Sequence, residues 1–340
     1  MRIPHGLRAV AGRSVVNPRD FFDVKLYTGN GSTQTISGLG FSPDLVWIKS
    51  RSFAESHRIL DKIRTATKVL YSDLTNAEGT DSTGLTAFNS DGFTLGSSTA
   101  YNQSSSTFVA WAWDAGSSTV TNTQGSITST VSVRANATAG FSVVTYTGTA
   151  TNCTVGHGLG VAPDILIAKR RDSSGAWYVY HRTLGDLTRL QLNETSAATV
   201  GTSFWNSTNP TSTVFSIGSD SQINANGGTF VVYAFAPVVG YSSFGSYTGN
   251  GSATGPVISG LGFEPYFVMI KASSRTGDWF MYDAIRSISN PRTDKLKANS
   301  SAAEDTAGED IDFQSDGFQI KNTDTGLNEN AATYIYAAFA

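Results

Sequence analysis

The same landmarks occur three times along this chain, in the same order and at nearly the same spacing, so the fold has to be one that three copies of a single unit can share. Each copy opens on Tyr-Thr-Gly, beginning at Tyr27, Tyr146 and Tyr247. Gly-Leu-Gly follows at Gly38, Gly158 and Gly260, and a proline stands in register at Pro43, Pro163 and Pro265. An apolar run then ends on Lys49, Lys169 or Lys271, 11 residues after the first glycine in every copy. Twelve residues further on stand Asp61, His181 and Asp283. Copies one and three share Ser-Asp-Gly-Phe, at Asp91 and Asp316, where copy two has Thr213-Val214-Phe215. All three close on an aromatic strand, ending near Trp113, Phe235 and Phe339.

These landmarks read as strands and turns. Leu45-Val46-Trp47-Ile48 and its two counterparts are short apolar runs bounded by proline and a charge, as expected of a strand covered on both faces. Asn30-Gly31 and Asn250-Gly251 predict tight hairpin turns, and the glycines of Gly-Leu-Gly a bend or bulge. The segment 61–70 has some helical character, but its counterpart in copy three holds Pro291, which predicts a loop leading into a strand. Only 15% of residues are charged and 34 are glycine, the composition of a turn-rich all-β protein. The expected fold is three tandem antiparallel β-sandwiches of jelly-roll or lectin type, with a closed barrel as the alternative.

The spacing divides the chain into an N-terminal arm (1–20), repeat one (21–114), a Ser/Thr-rich linker (115–139), repeat two (140–238) and repeat three (239–340). Within the linker, Val131-Ser132-Val133 could add an edge strand. The short junction between copies two and three predicts a rigid pair, with copy one set apart. The arm, with four arginines and two prolines, is expected to order against a partner.

As a set, Tyr-Thr-Gly-Asn-Gly-Ser at 27–32 and 247–252, Gly-Leu-Gly-Phe-Ser-Pro-Asp at 38–44, Ser-Asp-Gly-Phe-Thr-Leu-Gly at 90–96 and Thr-Ala-Gly-Phe-Ser-Val-Val-Thr-Tyr-Thr-Gly at 138–148 are specific. They resemble a domain of uncharacterised function that recurs, often in tandem, in virion structural proteins of tailed bacteriophages. The resemblance covers about residues 20–340 and is similar to lectin-like sandwiches. It implies a virion component, such as a tail fibre, a tail appendage or a head decoration protein, located in the virion after assembly in the bacterial cytoplasm. It carries no catalytic motif to transfer.

Partners follow from charge and composition. A net charge of −3 leaves no cationic excess for a phosphate backbone, so nucleic acid is not expected. No run approaches the ~18 apolar residues of a membrane span and no signal peptide is evident, so no membrane insertion is expected. With no signal peptide, the several Asn-x-Ser/Thr triplets read as products of composition. The arm would bind other virion proteins, and fibre architecture favours a homotrimer.

Chemistry is sparse. His5, His57, His157 and His181 make no His-x-x-x-His pair, and the lone Cys153 forms neither a disulfide nor, unaided, a metal site. No cofactor, metal or catalytic residue is nominated, and the chain reads as a non-enzyme. A glycan-degrading alternative would need two facing carboxylates. The acidic stretch 304–312 raises calcium, although it lacks the order of a known calcium loop. Lys49, Lys169 and Lys271 read as solubilising charges at strand ends, and Trp47, Trp111 and Trp113 as core. Trp205 with Asn206, in a loop special to copy two, is the candidate contact for a host surface glycan, as an aromatic face beside an amide.

Overall fold

The computed structural model describes residues 17–308 and 310–340; most of the arm, with His5, and Glu309 of the acidic stretch lie outside the described residues. Each copy builds the same antiparallel sheet from four strands, which we call opening, closing, core and outer in their order across the sheet. The opening strands are Phe22–Thr28, Phe141–Thr147 and Ser242–Thr248, and the closing strands Thr107–Trp113, Thr229–Phe235 and Thr333–Phe339. The core strands are Leu45–Ser50, Ile165–Arg170 and Phe267–Ala272, and the outer strands Arg58–Asp61, Tyr178–His181 and Trp279–Asp283. The tyrosine of Tyr-Thr-Gly pairs in register with an aromatic of the closing strand, Phe108, Phe230 or Tyr334. The rings stack at 5.2, 5.1 and 5.0 Å.

A smaller sheet covers one face of each four-stranded array. In copy one it contains Gln34–Ser37, Gly92–Leu95 and Leu85–Asn89, in copy two Cys153–Gly156 and Val214–Ile217, and in copy three Val257–Ser259, Gly317–Ile320 and Ile311–Gln314. The protein is all-β, built of antiparallel sheets in sandwiches. The segment 61–70 runs as turns into the short strand Lys68–Val69.

Successive strand residues face opposite ways, and here both faces are buried. Val46 and Ile48 pack under the small sheet of copy one, whereas Leu45 and Trp47 point into a second core. The equivalent residues Ile165 and Ile167, and Phe267 and Met269, point into that same core. The outward faces of all three sheets therefore meet. At one end Trp113, Phe235 and Phe339 converge, with ring centroids 6.2, 5.7 and 5.9 Å apart pairwise. An apolar cavity of about 30 Å³ lies among Trp47, Ile167, Met269, Tyr233 and these rings. With no polar partner for water it is a dry packing defect. The copies are thus not a pair plus an outlier, because all three share one core.

The linker does supply the extra strand expected around Val131-Ser132-Val133, and a second one beyond it. Thr119–Thr121 and Ser132–Asn136 are strands, the second paired with the opening strand of copy two, which extends that sheet to eight strands. Alternation explains it: Val131 and Val133 face inward and are buried, and the Ser/Thr-rich remainder suits an edge. Arg134 also pairs with Asp44 of copy one at 2.7 Å. At the Asn-Gly sites only Gly31 and Gly251 are left-handed, and each loop is longer than a two-residue hairpin.

Residues 17–21, the two ends of the connection between copies one and two, the connection between copies two and three, and Ala340 gather at one end of the assembly. Asp114 N donates to Phe21 O, Ala236 N to Gly140 O and Ala340 N to Tyr241 O, and Arg19 lies over the Tyr266 ring.

Candidate functional site: the repeated landmarks and the seams

The residues that recur in three copies hold backbone. Tyr27, Tyr146 and Tyr247 each donate their hydroxyl to a carbonyl of a short helical turn, at Tyr101, Ile223 and Leu327. The next residue in each turn is a buried asparagine, Asn102, Asn224 or Asn328. Its Oδ1 accepts from the N–H of Asn30, Thr149 or Asn250 at 2.9, 2.7 and 2.8 Å. Its Nδ2 donates to carbonyls on both sides, for example Gly218 and Thr151 in copy two. Tyr-Thr-Gly is therefore half of a clamp whose other half, the asparagine, sequence reading missed. The signal was present as an asparagine five residues before the start of each closing strand.

Equivalent contacts also join the copies in a cycle. Eight residues after the repeated lysine stand His57, Trp177 and Trp279. Trp177 Nε1 donates to Tyr71 O of copy one at 2.7 Å, and Trp279 Nε1 to Gln191 O of copy two at 2.8 Å. His57 Nε2 bonds Lys297 O of copy three at 3.0 Å, while Trp47 Nε1 donates to its Nδ1. Because the same bond runs from two to one, three to two and one to three, the copies form a ring with threefold pseudo-symmetry. Backbone bonds from Gly175 N to Thr75 O, Gly277 N to Thr195 O and Glu55 N to Ser301 O repeat the cycle.

Two of the three seams carry buried ion networks. Between copies one and two, Asp61 accepts from Tyr233 Oη at 2.8 Å and from Arg64 Nε at 2.5 Å. Glu78 joins Arg64 to Arg171 at 3.3 and 2.8 Å. Between copies three and one, Asp283 accepts from Trp111 Nε1 at 3.1 Å and Arg286 Nε at 2.5 Å, and Glu304 joins Arg286 to Arg51 at 3.1 and 2.7 Å. Burial opposes the Arg64 and Arg286 charges, but the facing carboxylates outweigh it and hold both guanidinium pKa values above the ordinary value. At the third seam the same positions are His181, Leu184, Ala337, Ala198 and Ser273, and no ion pair among the described residues crosses it. There His181 Nδ1 accepts from Thr183 Oγ1 at 2.9 Å, which leaves Nε2–H to meet Tyr336 O at 3.3 Å.

The structure corrects the reading of the three lysines as solubilising charges. Lys49, Lys169 and Lys271 are wholly buried, because each shares the strand face that turns into the common core. Lys169 Nζ and Lys271 Nζ reach across to Thr75 O and Thr195 O at 3.2 and 2.9 Å. Burial lowers all three to about 8. It likewise lowers His157 and His181 to about 4 and His57 well below its ordinary range, so these imidazoles are neutral at pH 7. Cys153 lies buried in a strand, and burial raises its thiol pKa.

Trp205 does not offer a face to a sugar. It is 2% exposed, packs edge-on against Tyr180 at 5.8 Å and donates Nε1–H to Thr188 O at 3.0 Å. The copy-two loop folds this ring back to cover its own sandwich, which a loop assignment from sequence does not reveal. Asn206 is half-buried with φ +53°, its Oδ1 accepting from Asn152. In the acidic stretch, Glu304 is held by Arg51 and Arg286, Asp305 and Asp310 by Lys295, and Asp312 by Lys321. Those carboxylates are engaged by cations of the chain itself. Among the described residues no three His, Cys, Asp or Glu side chains gather as a metal site would require, and no helix is long and apolar enough to cross a membrane.

The fold and its repeated residues define an all-β protein of antiparallel sandwiches closed around a common core. The chain belongs to a family of unknown function, whose model, described as Domain of unknown function (DUF7483), matches residues 17–340. No curated protein and no solved structure matches it.

Proposed function

We propose that this protein is a non-enzymatic structural component of a tailed-phage virion, a tail fibre or appendage element attached through its N-terminal arm. The observation that carries the reading is that the residues recurring in three copies are spent on turns, clamps and seams. None of them faces another as a nucleophile, base or metal ligand. A ring closed by repeated seam contacts around one shared core is a rigid body suited to bearing load and spacing other parts. The gathering of residues 17–21 and Ala340 at one end supports attachment there, leaving the Asn-Gly loops at the other end to face outward. In this reading, self-association into the trimer expected of fibres would join whole rings.

The reading is tested by gold-labelled antibody against the purified protein on intact particles. Label at the tail or its appendages is the expected result, and label on the head surface would favour decoration instead. Absence of the chain from purified particles, by mass spectrometry, would overturn it.

A further inference from the structure

Copies one and three fill their Gly-Leu-Gly loops with a carboxylate, and copy two does not. Gly38 N and Gly40 N donate to the two oxygens of Asp91 at 3.1 and 2.9 Å. Gly260 N and Gly262 N hold Asp316 in the same way at 3.0 and 2.7 Å. Backbone N–H groups of one loop that converge like this, with the leucine N–H between them turned to the aspartate's own carbonyl, make an anion-binding concavity. The geometry needs left-handed backbone at both glycines, φ +83° and +75° in copy one and +83° and +79° in copy three. The bonds do favour the charged form: they hold the Asp91 carboxyl below its ordinary pKa.

In copy two Gly158 and Gly160 keep that backbone, with φ +74° and +70°. The residue in register with Asp91 and Asp316 is Thr213, whose neighbour Val214 pairs with Gly156 as Gly92 pairs with Ser37. His157, inserted before the loop, satisfies only the middle donor: Leu159 N donates to His157 Nδ1 at 3.2 Å, and His157 Nε2 bonds Thr211 O at 3.2 Å. Both glycines are exposed, and no described residue accepts a hydrogen bond from Gly158 N or Gly160 N. Copy two therefore presents the outer two donors of a carboxylate site whose internal carboxylate has been replaced.

We propose that the Gly158-Leu159-Gly160 loop binds a carboxylate from outside the chain, held by the N–H groups of Gly158 and Gly160 as Asp91 and Asp316 are held in the sister copies. The ligand class is a carboxylate-bearing partner group, either a sugar acid or an acidic protein side chain. The inference does not depend on the virion reading.

The test is a titration of full-length protein carrying 15N-glycine, followed by amide resonances. Glucuronate and a blocked aspartate are added separately, with chloride at matched ionic strength as control. The expected result is a saturable shift of Gly158 and Gly160 with at least one carboxylate, while Gly38, Gly40, Gly260 and Gly262 stay in place. Whichever carboxylate saturates at lower concentration identifies the source. Thr213→Asp, which supplies an internal carboxylate, is expected to abolish the response. The reciprocal Asp91→Thr, which empties the loop of copy one, is expected to make Gly38 and Gly40 responsive. No shift with either carboxylate, an equal shift with chloride, or equal movement of all six glycines would overturn the proposal.

Discussion

The two ion-paired seams and the third seam occupy equivalent positions in one ring, yet they are built from different chemistry. Where copy one meets copy two, and copy three meets copy one, an Asp, two Arg, a Glu and an aromatic donor lock together, with the Asp and its own Arg fully buried and the second Arg at the partly exposed margin. At the seam of copies two and three all five positions differ: Asp becomes His181, the two Arg become Leu184 and Ser273, Glu becomes Ala198 and the aromatic becomes Ala337. No intermediate version occurs. Physical chemistry gives the reason: a buried charge is tolerable when its partners are complete and very costly when one is missing, so such a network is kept or removed as a unit. The ion-paired seams therefore need not be the stronger ones, and their distinct value is in specifying which copy sits beside which.

The largest effect should come from breaking a network in part. Arg64→Met leaves the fully buried Asp61 without its guanidinium, and is expected to cost about 3–5 kcal/mol in urea unfolding. Replacing the network with the neutral residues of the third seam, while keeping a phenyl ring at position 233 to avoid a cavity, should cost far less. The combined change Asp61→His, Arg64→Leu, Glu78→Ala, Arg171→Ser and Tyr233→Phe is expected to stay within about 1 kcal/mol of the parent, since a buried ion network exchanged for neutral packing is often energetically even. Equal damage from the single and the combined change would refute the view of the network as a unit.

Smaller effects should appear as pH dependence. His181 has a folded pKa of about 4, below the ordinary ~6.5 of an unfolded imidazole. Between those values the unfolded chain binds the extra proton, so this group's contribution to stability is present above pH 6.5 and is lost as pH falls toward 4. His181→Asn should flatten the Tm profile of the parent in that window by one such contribution. At the alkaline side the lysines follow the same logic at a higher pH. Lys169 and Lys271, at about 8 when folded, release protons before the unfolded chain does, so they make stability rise from pH 8 toward 10.5. Lys169→Met with Lys271→Met is expected to reduce that rise, measured as Tm at pH 8 and 10.

Sequence made the strands and turns legible because backbone punctuation is local. Tyr-Thr-Gly, Gly-Leu-Gly and the aromatic closing strands all stand where their spacing predicts. The central core was only half legible. Leu45-Val46-Trp47-Ile48 reads as covered on both faces, but nothing in a single strand says that the second cover is two other copies of itself. That step required register: His57, Trp177 and Trp279 share one position, and only their partners across the seams show why. Lys49 and its counterparts were misread because a charge at the end of an apolar run looks like a surface marker unless the face it shares is known to be buried. Trp205 was misread for the converse reason, since a loop can turn its largest side chain inward.

The central claim is that three copies fold as one body around a shared core, and differential scanning calorimetry of the full chain tests it most directly. With Trp113, Phe235 and Phe339 packed on one another, the account predicts a single unfolding transition, shifted as a whole by Trp113→Ala even though that residue belongs to copy one. Three resolved transitions, with only one of them moved by Trp113→Ala, would contradict it.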